Sequence, residues 1–414
     1  MNGADIGWMI LATGMVLLMT PALAFFYGGL VRSKNALNTM MMSFGSLAVV
    51  GVLWALVGYT LAFAPGNGAI GGLDYLFLRG VDLQAKGTIP HLLFMCYQGT
   101  FAVITAALVS GAIVERMRFS AYLVFIALWS LVVYAPVAHW VWGGGWLSTM
   151  GTLDFAGGTV VHVNAGVAAL VAALVLRPRR DHGRQAFLPH NVPLVLLGTG
   201  LLWFGWLGFN GGSALAANNV AALAAVNTVL APMATASVWM LLDLYRTKRM
   251  TAVGAATGIV VGLVAITPAA GFIGPRAALA LGALAALPSY YGIILRSRTR
   301  LDDSLDVTPA HGLGGIVGAL LTGVFARAAW GGADGWIAGK PSQVLIQAVG
   351  VAATLVYSGA ASFLLLKAIA LVMPLRPPER EEAVGLDVWE HGEEAYSSGE
   401  GAILVLSDDG GGDR

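Results

Sequence analysis

The stretch Asp154-Phe-Ala-Gly-Gly-Thr-Val-Val-His162-Val-Asn-Ala-Gly166, followed to Leu176 by nothing but Ala, Val and Leu, decides the fold. It is long and apolar enough to cross a membrane, with an acid just ahead of its start and one histidine deep inside. Hydrocarbon offers a polar ring neither water nor hydrogen bonds, so His162 at that depth needs a partner or a purpose. A second histidine, His311, lies in an equivalent run and supplies the partner.

Composition widens the reading. Of 414 residues, 57% are hydrophobic and 11% charged, against roughly a quarter charged in a soluble domain. A hydrocarbon layer of ~30 Å takes about 20 residues of helix, and runs of that length recur from end to end. The chain is therefore an all-α polytopic membrane protein in contact with lipid. A net charge of +1 gives no reason to expect nucleic acid, and the lone Cys96 rules out an internal disulfide framework. The first apolar run begins near Ile6 without a basic leader and is long enough to be a span, so no cleavable signal is expected. No nucleophile with a base, metal cluster or phosphate loop is visible; neither an enzyme nor a cofactor is expected.

Eleven transmembrane helices are predicted, near 6–30, 40–64, 89–114, 119–142, 158–176, 193–212, 219–243, 251–271, 276–295, 309–328 and 344–373. One set of alternate connections carries Arg32 and Lys34; Arg116 and Arg118; Arg177, Arg179, Arg180 and Arg184; Arg246, Lys248 and Arg249; and Arg296, Arg298 and Arg300. The opposite set carries only Arg79, Lys86, Arg276, Arg327 and Lys340. Basic connections stay cytoplasmic, which predicts an outside N-terminus, a cytoplasmic C-terminus, and Asp154 at the outer mouth of the fifth span.

The chain also repeats itself. His162-Val-Asn-Ala-Gly166 matches His311-Gly-Leu-Gly-Gly315, and in that register Asp154 falls on Asp303. Phe26-Tyr-Gly-Gly29 in the first span matches Phe209-Asn-Gly-Gly212 in the sixth. Two five-helix units of odd length must run in opposite directions, an inverted repeat whose working site lies between the halves near the midplane. The expected units are residues 1–176 and 193–330, with an extra helix at 343–373 and a cytoplasmic tail at 374–414. Small residues after each histidine, such as Gly166 and Gly315, would let the helices approach closely.

Asp154-Phe-Ala-Gly-Gly-Thr-Val-Val-His162 resembles the signature of the Amt/Mep/Rh ammonium transporters, in particular the Amt branch. So do Phe25-Phe-Tyr-Gly-Gly-Leu-Val-Arg-Ser-Lys-Asn35, Gln98-Gly-Thr-Phe101, Glu115-Arg-Met-Arg-Phe-Ser120, Ala138-His-Trp-Val-Trp-Gly-Gly-Gly145, Trp206-Leu-Gly-Phe-Asn-Gly-Gly-Ser213 and Gly385-Leu-Asp-Val-Trp-Glu-His-Gly392. The likeness runs through nearly the whole chain in order. It implies an outer recruitment site at Trp142, Phe101 and Ser213, with Tyr97 beside it where many relatives carry Phe. It implies a gate of stacked rings at Phe101 and Phe209, twin pore histidines at His162 and His311, and an aromatic pore wall at Trp206. Asp154 would order the recruitment site from beneath. The resemblance further implies a plasma-membrane homotrimer. Its tail motif (Gly385, Leu386, Asp387, Trp389) would pack along the cytoplasmic face, where a PII-type signal protein can dock.

The chemistry agrees with that likeness. Ammonium and potassium are nearly equal in size, and aromatic faces attract either by about 0.5–2 kcal/mol. Acceptor oxygens favour ammonium, which donates four N–H bonds. A bare ion in a narrow apolar pore costs several kcal/mol even after relaxation; ammonium alone can shed a proton and cross as ammonia. Paired imidazoles suit such a pore because each accepts or donates at neutral pH. Competing readings are plainer. Asp154 can cap the helix that opens at Gly157–Thr159, and His139 can simply bond a carbonyl. Trp140 and Trp146 can belong to an interfacial belt, and Phe101 and Phe209 can be ordinary core rings. At the level of the whole protein the rivals are an ammonium sensor on the same scaffold and a gas channel of the Rh kind.

Overall fold

The computed structural model describes residues 1–396; the Gly- and Asp-rich end beginning at Ser407 lies outside the described residues. Among the described residues, ten helices are long and apolar enough to cross a membrane. They are Gly3–Leu30, Ser33–Phe63, His91–Ser110, Phe119–Met150, Gly158–Leu176, Val192–Gly212, Asn219–Thr247, Pro275–Ser297, Thr308–Phe325 and Ser342–Val372. Ala252–Ile266, eighth in chain order, is a shorter apolar helix and completes the set of eleven. Several starts carry the cap the sequence offers: Asn191, Asn218 and Thr251 each accept a backbone N–H from the first turn ahead of them.

Two boundaries differ from the expected ones for visible reasons. The eighth helix stops at Ile266 rather than running to 271, because the chain turns at Thr267-Pro268 and Pro268 packs under the fifth helix. A Cβ on Gly158 would meet the Pro268 ring at 2.5 Å. The second helix begins at Ser33 rather than near 40, because its first turns are completed from elsewhere. The Asp387 carboxylate accepts the N–H groups of Leu37 (3.0 Å) and Asn38 (2.7 Å).

The first and sixth helices lie against each other in opposite directions. Gly198, early in the sixth, meets the backbone of Phe26, late in the first. Gly208, late in the sixth, meets Ala12 and Met15, early in the first. This is the antiparallel contact that an inverted five-plus-five repeat requires.

At the end of the bundle that carries the basic connections, several of those charges are buried rather than solvated. Arg179 pairs with Glu115 at 2.6 Å and with Asp302 at 2.8 Å, and Arg32 joins Glu115 at 3.0 Å. Arg116, fully buried, donates to Ser304 Oγ at 2.6 Å. Burial alone would raise the Glu115 carboxyl, but Arg179 and Arg32 outweigh it and hold the pKa below its ordinary value. Four loops are thereby tied at one point.

The tail closes over this face as two short helices, Glu379–Val384 and Leu386–His391. Of the motif expected to pack here, Leu386 is fully buried and Asp387 nearly so, whereas Trp389 is 56% exposed. Gly385, at φ +125, lies against Lys34, where a Cβ would sit 2.6 Å from a carbonyl oxygen. That contact turns Leu386 inward.

Candidate functional site

Both histidines sit on the same device. Asp154 Oδ1 accepts the N–H groups of Gly157 (2.9 Å) and Gly158 (2.6 Å), while Oδ2 accepts those of Thr159 (2.9 Å) and Val160 (3.0 Å). The orphan donors of the fifth helix are thus satisfied by one carboxylate. Asp303 repeats the arrangement more sparely, accepting from Val307 (3.0 Å) and Thr308 (2.7 Å). Each cap opens a π-helical turn, Gly158–Val163 and Thr308–Leu313, which widens the helix and swings the histidine inward. The two helices cross at Gly166 and Gly312; a Cβ on Gly166 would lie 2.4 Å from the Gly312 Cα. Only glycine permits that approach.

The result is a pair of stacked imidazoles, ring centres 5.3 Å apart and Nδ1 to Nδ1 3.3 Å. Both are buried, His162 1% and His311 3% exposed. A shared Nδ1–H···Nδ1 bond makes one ring the donor and the other the acceptor. One Nε2 is then a free acceptor and the other an N–H donor. The Nε2 of His162 is buried without a protein partner. The cavity beside the pair is lined by Leu23, Ile104, Leu202, Trp206, Phe209 and Val260 among others, and at about 10 Å³ has room for one water-sized molecule. Trp206 stacks on His162 at 5.4 Å and is fixed by Nε1–H donating to Thr267 Oγ1 at 2.9 Å.

Above this cavity Phe101 and Phe209 stack face to face, 4.1 Å between centres. Above them lies an open pocket of about 280 Å³ that Phe101, Trp142 and Ser213 line with Gln98. The Trp142 indole N–H donates to the backbone oxygen of Asp154 at 2.8 Å, so the acid's own peptide orients this ring. Ser213 Oγ–H donates to the Phe209 carbonyl at 2.8 Å, which leaves its lone pairs for a donor in the pocket. Tyr97 does not line that space. It is fully buried behind Phe101, its hydroxyl among the Gly208 and Phe209 carbonyls and 3.3 Å from Ser213 Oγ.

Gln98 is the residue that sequence reasoning passed over. Its side chain is 9% exposed, and its Oε1 has no hydrogen-bond partner. A glutamine one turn before Phe101 on an otherwise apolar helix was the available signal. His139 bonds the Ala62 and Asn67 carbonyls at 2.9 and 2.8 Å, as the plainer reading had it. Trp140 is buried against Tyr357 and donates to the Ala69 carbonyl, so it is packed rather than facing lipid.

On the other side, His311 borders a vestibule of about 600 Å³ shared with Arg179, His182, Arg296, Arg300 and Asp306. Burial pushes the Asp306 carboxyl up to about 7 despite Arg296 Nε at 2.7 Å. Among the described residues, no three His, Cys, Asp or Glu side chains gather as a metal site would require.

The comparisons with known proteins agree with one another. The model of the Ammonium Transporter Family matches residues 7–396. The ammonium transporter of Bacillus subtilis is 48% identical, over 96% of this chain and 99% of that one. Among solved structures, Candida albicans Mep2 superposes with a TM-score of 0.85 at 38% identity, covering 89% of this chain and 84% of that one. A sensor Amt protein gives a TM-score of 0.88 at 30% identity, covering 94% and 98%.

Proposed function

The chain belongs to the ammonium transporter family and is a multi-pass membrane transporter of ammonium, and we propose that it recruits the cation outside, gives up the cation's proton either to the outer water or to the hydrogen-bonded imidazole pair as a relay, and passes ammonia between the twin histidines. The observation that carries this reading is the buried imidazole pair, Nδ1 to Nδ1 3.3 Å, in a cavity with room for one small molecule. A cation would lose its hydration there and gain no counter-charge. Ammonia needs one donor and one acceptor, and the pair offers both.

In this reading Trp142 and Phe101 attract the ion through their ring faces. Ser213 and Gln98 accept its N–H bonds, and Tyr97 supports Ser213 from behind. Phe101 and Phe209 swing apart to admit ammonia. Asp154 acts by ordering: all four N–H bonds it accepts come from its own helix, which leaves it occupied as a cap rather than poised as a ligand. Trp206 holds His162 flat against the pore. In the inner vestibule Arg179 and Arg296 engage the carboxylates of Asp302 and Asp306, which are thereby occupied rather than free to hold a cation.

The division into residues 1–176, 193–330, 343–373 and a tail from 374 belongs to the same proposal. So do an outside N-terminus, residence in the plasma membrane and a homotrimer. The charge bias of the loops supports the orientation; the family supports the rest. The tail, with Gly385, Leu386 and Asp387 seated on the second helix and Trp389 exposed, is the natural place for a PII-type protein to act. The test is flux in proteoliposomes of purified protein. An ammonium gradient is expected to drive uptake, and an equal potassium gradient none. Ammonium binding without flux would favour a sensor and overturn the transport cycle.

A further inference from the structure

The loop after the second helix returns as a short hairpin, Ala85–Lys86 against Ile89–Pro90, turning at Gly87 with φ +66. The hairpin delivers Lys86 into a ring cluster that the pore does not use. Its Nζ lies 4.6 Å from the ring centre of Phe94, 5.5 Å from Tyr75, 5.7 Å from Tyr59 and 5.8 Å from Phe63. The Tyr59 hydroxyl oxygen accepts from Nζ at 3.3 Å and lies 2.5 Å from His91 Nε2. The Tyr59 oxygen thus offers a lone pair to the ammonium, and its hydrogen bond to His91 fixes the ring's position. Among the described residues no carboxylate forms an ion pair with this lysine, and desolvation lowers its pKa. Ring faces and an oxygen around an amine without a counter-ion form the kind of cage that recognises small ammonium ions. Two of the rings, Phe63 and Phe94, also border the pocket of Trp142 and Ser213.

We propose that Tyr59, Phe63, Tyr75 and Phe94 form a second site for small ammonium ions at the outer rim, kept filled by the tethered amine of Lys86. The cage holds whether or not the recruitment reading does. Its consequence rests on that reading: an external ion finds one open site, beside Ser213, rather than a second that would detain it off the pathway.

The test is calorimetric titration of purified protein with methylammonium in low-salt buffer. Lys86→Ala empties the cage and is expected to add one binding event to the wild-type isotherm. Lys86→Ser carries the same test if the alanine variant aggregates. Tyr75→Ala in the Lys86→Ala background is expected to remove the added event, since Tyr75 borders the cage but not the outer pocket. Lys86→Met, which refills the cage without charge, is expected to match the wild type. If folded Lys86→Ala or Lys86→Ser protein gives the wild-type isotherm, or if the added event survives Tyr75→Ala, Lys86 is only a strut and the proposal is overturned. Failure of the recruitment reading looks different. Ser213→Ala would then leave the wild-type event unchanged, while the gain in Lys86→Ala persists.

Discussion

Asp154 and Asp303 stand at the same distance before His162 and His311, and each closes the start of a π-helical turn, yet their surroundings differ. Asp154 takes four backbone N–H groups and lies under a pocket of rings and a hydroxyl. Asp303 takes two and borders a region of arginines tied to Glu115, Asp302 and Asp306. One structural device, used twice, presents the histidines. What lies beyond each copy differs: an open pocket of rings and a hydroxyl at one, a network of ion pairs at the other. The two ends are also locked by different forces, hydrogen bonds at one and ion pairs at the other, and this difference can be broken one lock at a time.

The largest stability effect is expected at the ionic end. Glu115→Gln leaves Arg179 without one of its two buried carboxylates, and removing one partner of a buried pair typically costs about 3–5 kcal/mol. Thermal unfolding in detergent would read this. Because its pKa is lowered in the fold, Glu115 contributes fully above its unfolded pKa of about 4.3. That contribution is lost as pH falls further, through the folded pKa. Asp154→Ala comes next, with an expected cost of about 2–3 kcal/mol for the orphaned donors and transport reduced at least about tenfold through misplacement of Trp142 and His162. Asp303→Ala, with half the bonds, is expected to show a clearly smaller loss. Equal losses would mean that the extra bonds of Asp154 do not matter.

A subtler effect is expected at the pocket. Ser213→Ala removes one acceptor, worth about 1 kcal/mol, and is expected to raise the half-saturating ammonium concentration about fivefold, measured by uptake at graded concentrations. The smallest change is expected from the tail. Deleting residues 383–396 uncaps the second helix, since Asp387 is lost, and is expected to lower transport modestly while leaving the pore intact. Unchanged transport would make the tail a passive cover.

Much of this was legible in one dimension because a membrane imposes length, and topology imposes charge bias. The spans and their orientation follow from those two rules, and the inverted repeat with its paired histidines from the echo of His162-Val-Asn-Ala-Gly166 in His311-Gly-Leu-Gly-Gly315. What escaped were features that depend on distant partners. The eighth helix ends early because Pro268 meets Gly158, a contact that hydropathy does not encode. In the sequence Arg116 and Arg179 enter only as topological charges, whereas in the fold they are buried with Ser304, Glu115 and Asp302. The tail motif reads as packing along the face as a whole, yet Leu386 is buried and Trp389 exposed, a division set by the backbone turn at Gly385. Gln98 and Lys86 were hidden for the same reason: their meaning lies in the rings around them, from elements that hydropathy treats separately.

The central claim is that a neutral imidazole pair admits only a species able to give up its charge. The direct measurement is current across a bilayer carrying the purified His162→Ala/His311→Ala variant, under ammonium and then potassium gradients. The account predicts that the variant loses ammonium selectivity, either by ceasing to conduct or by passing potassium as well. Ammonium flux and potassium exclusion equal to the wild type's would contradict it.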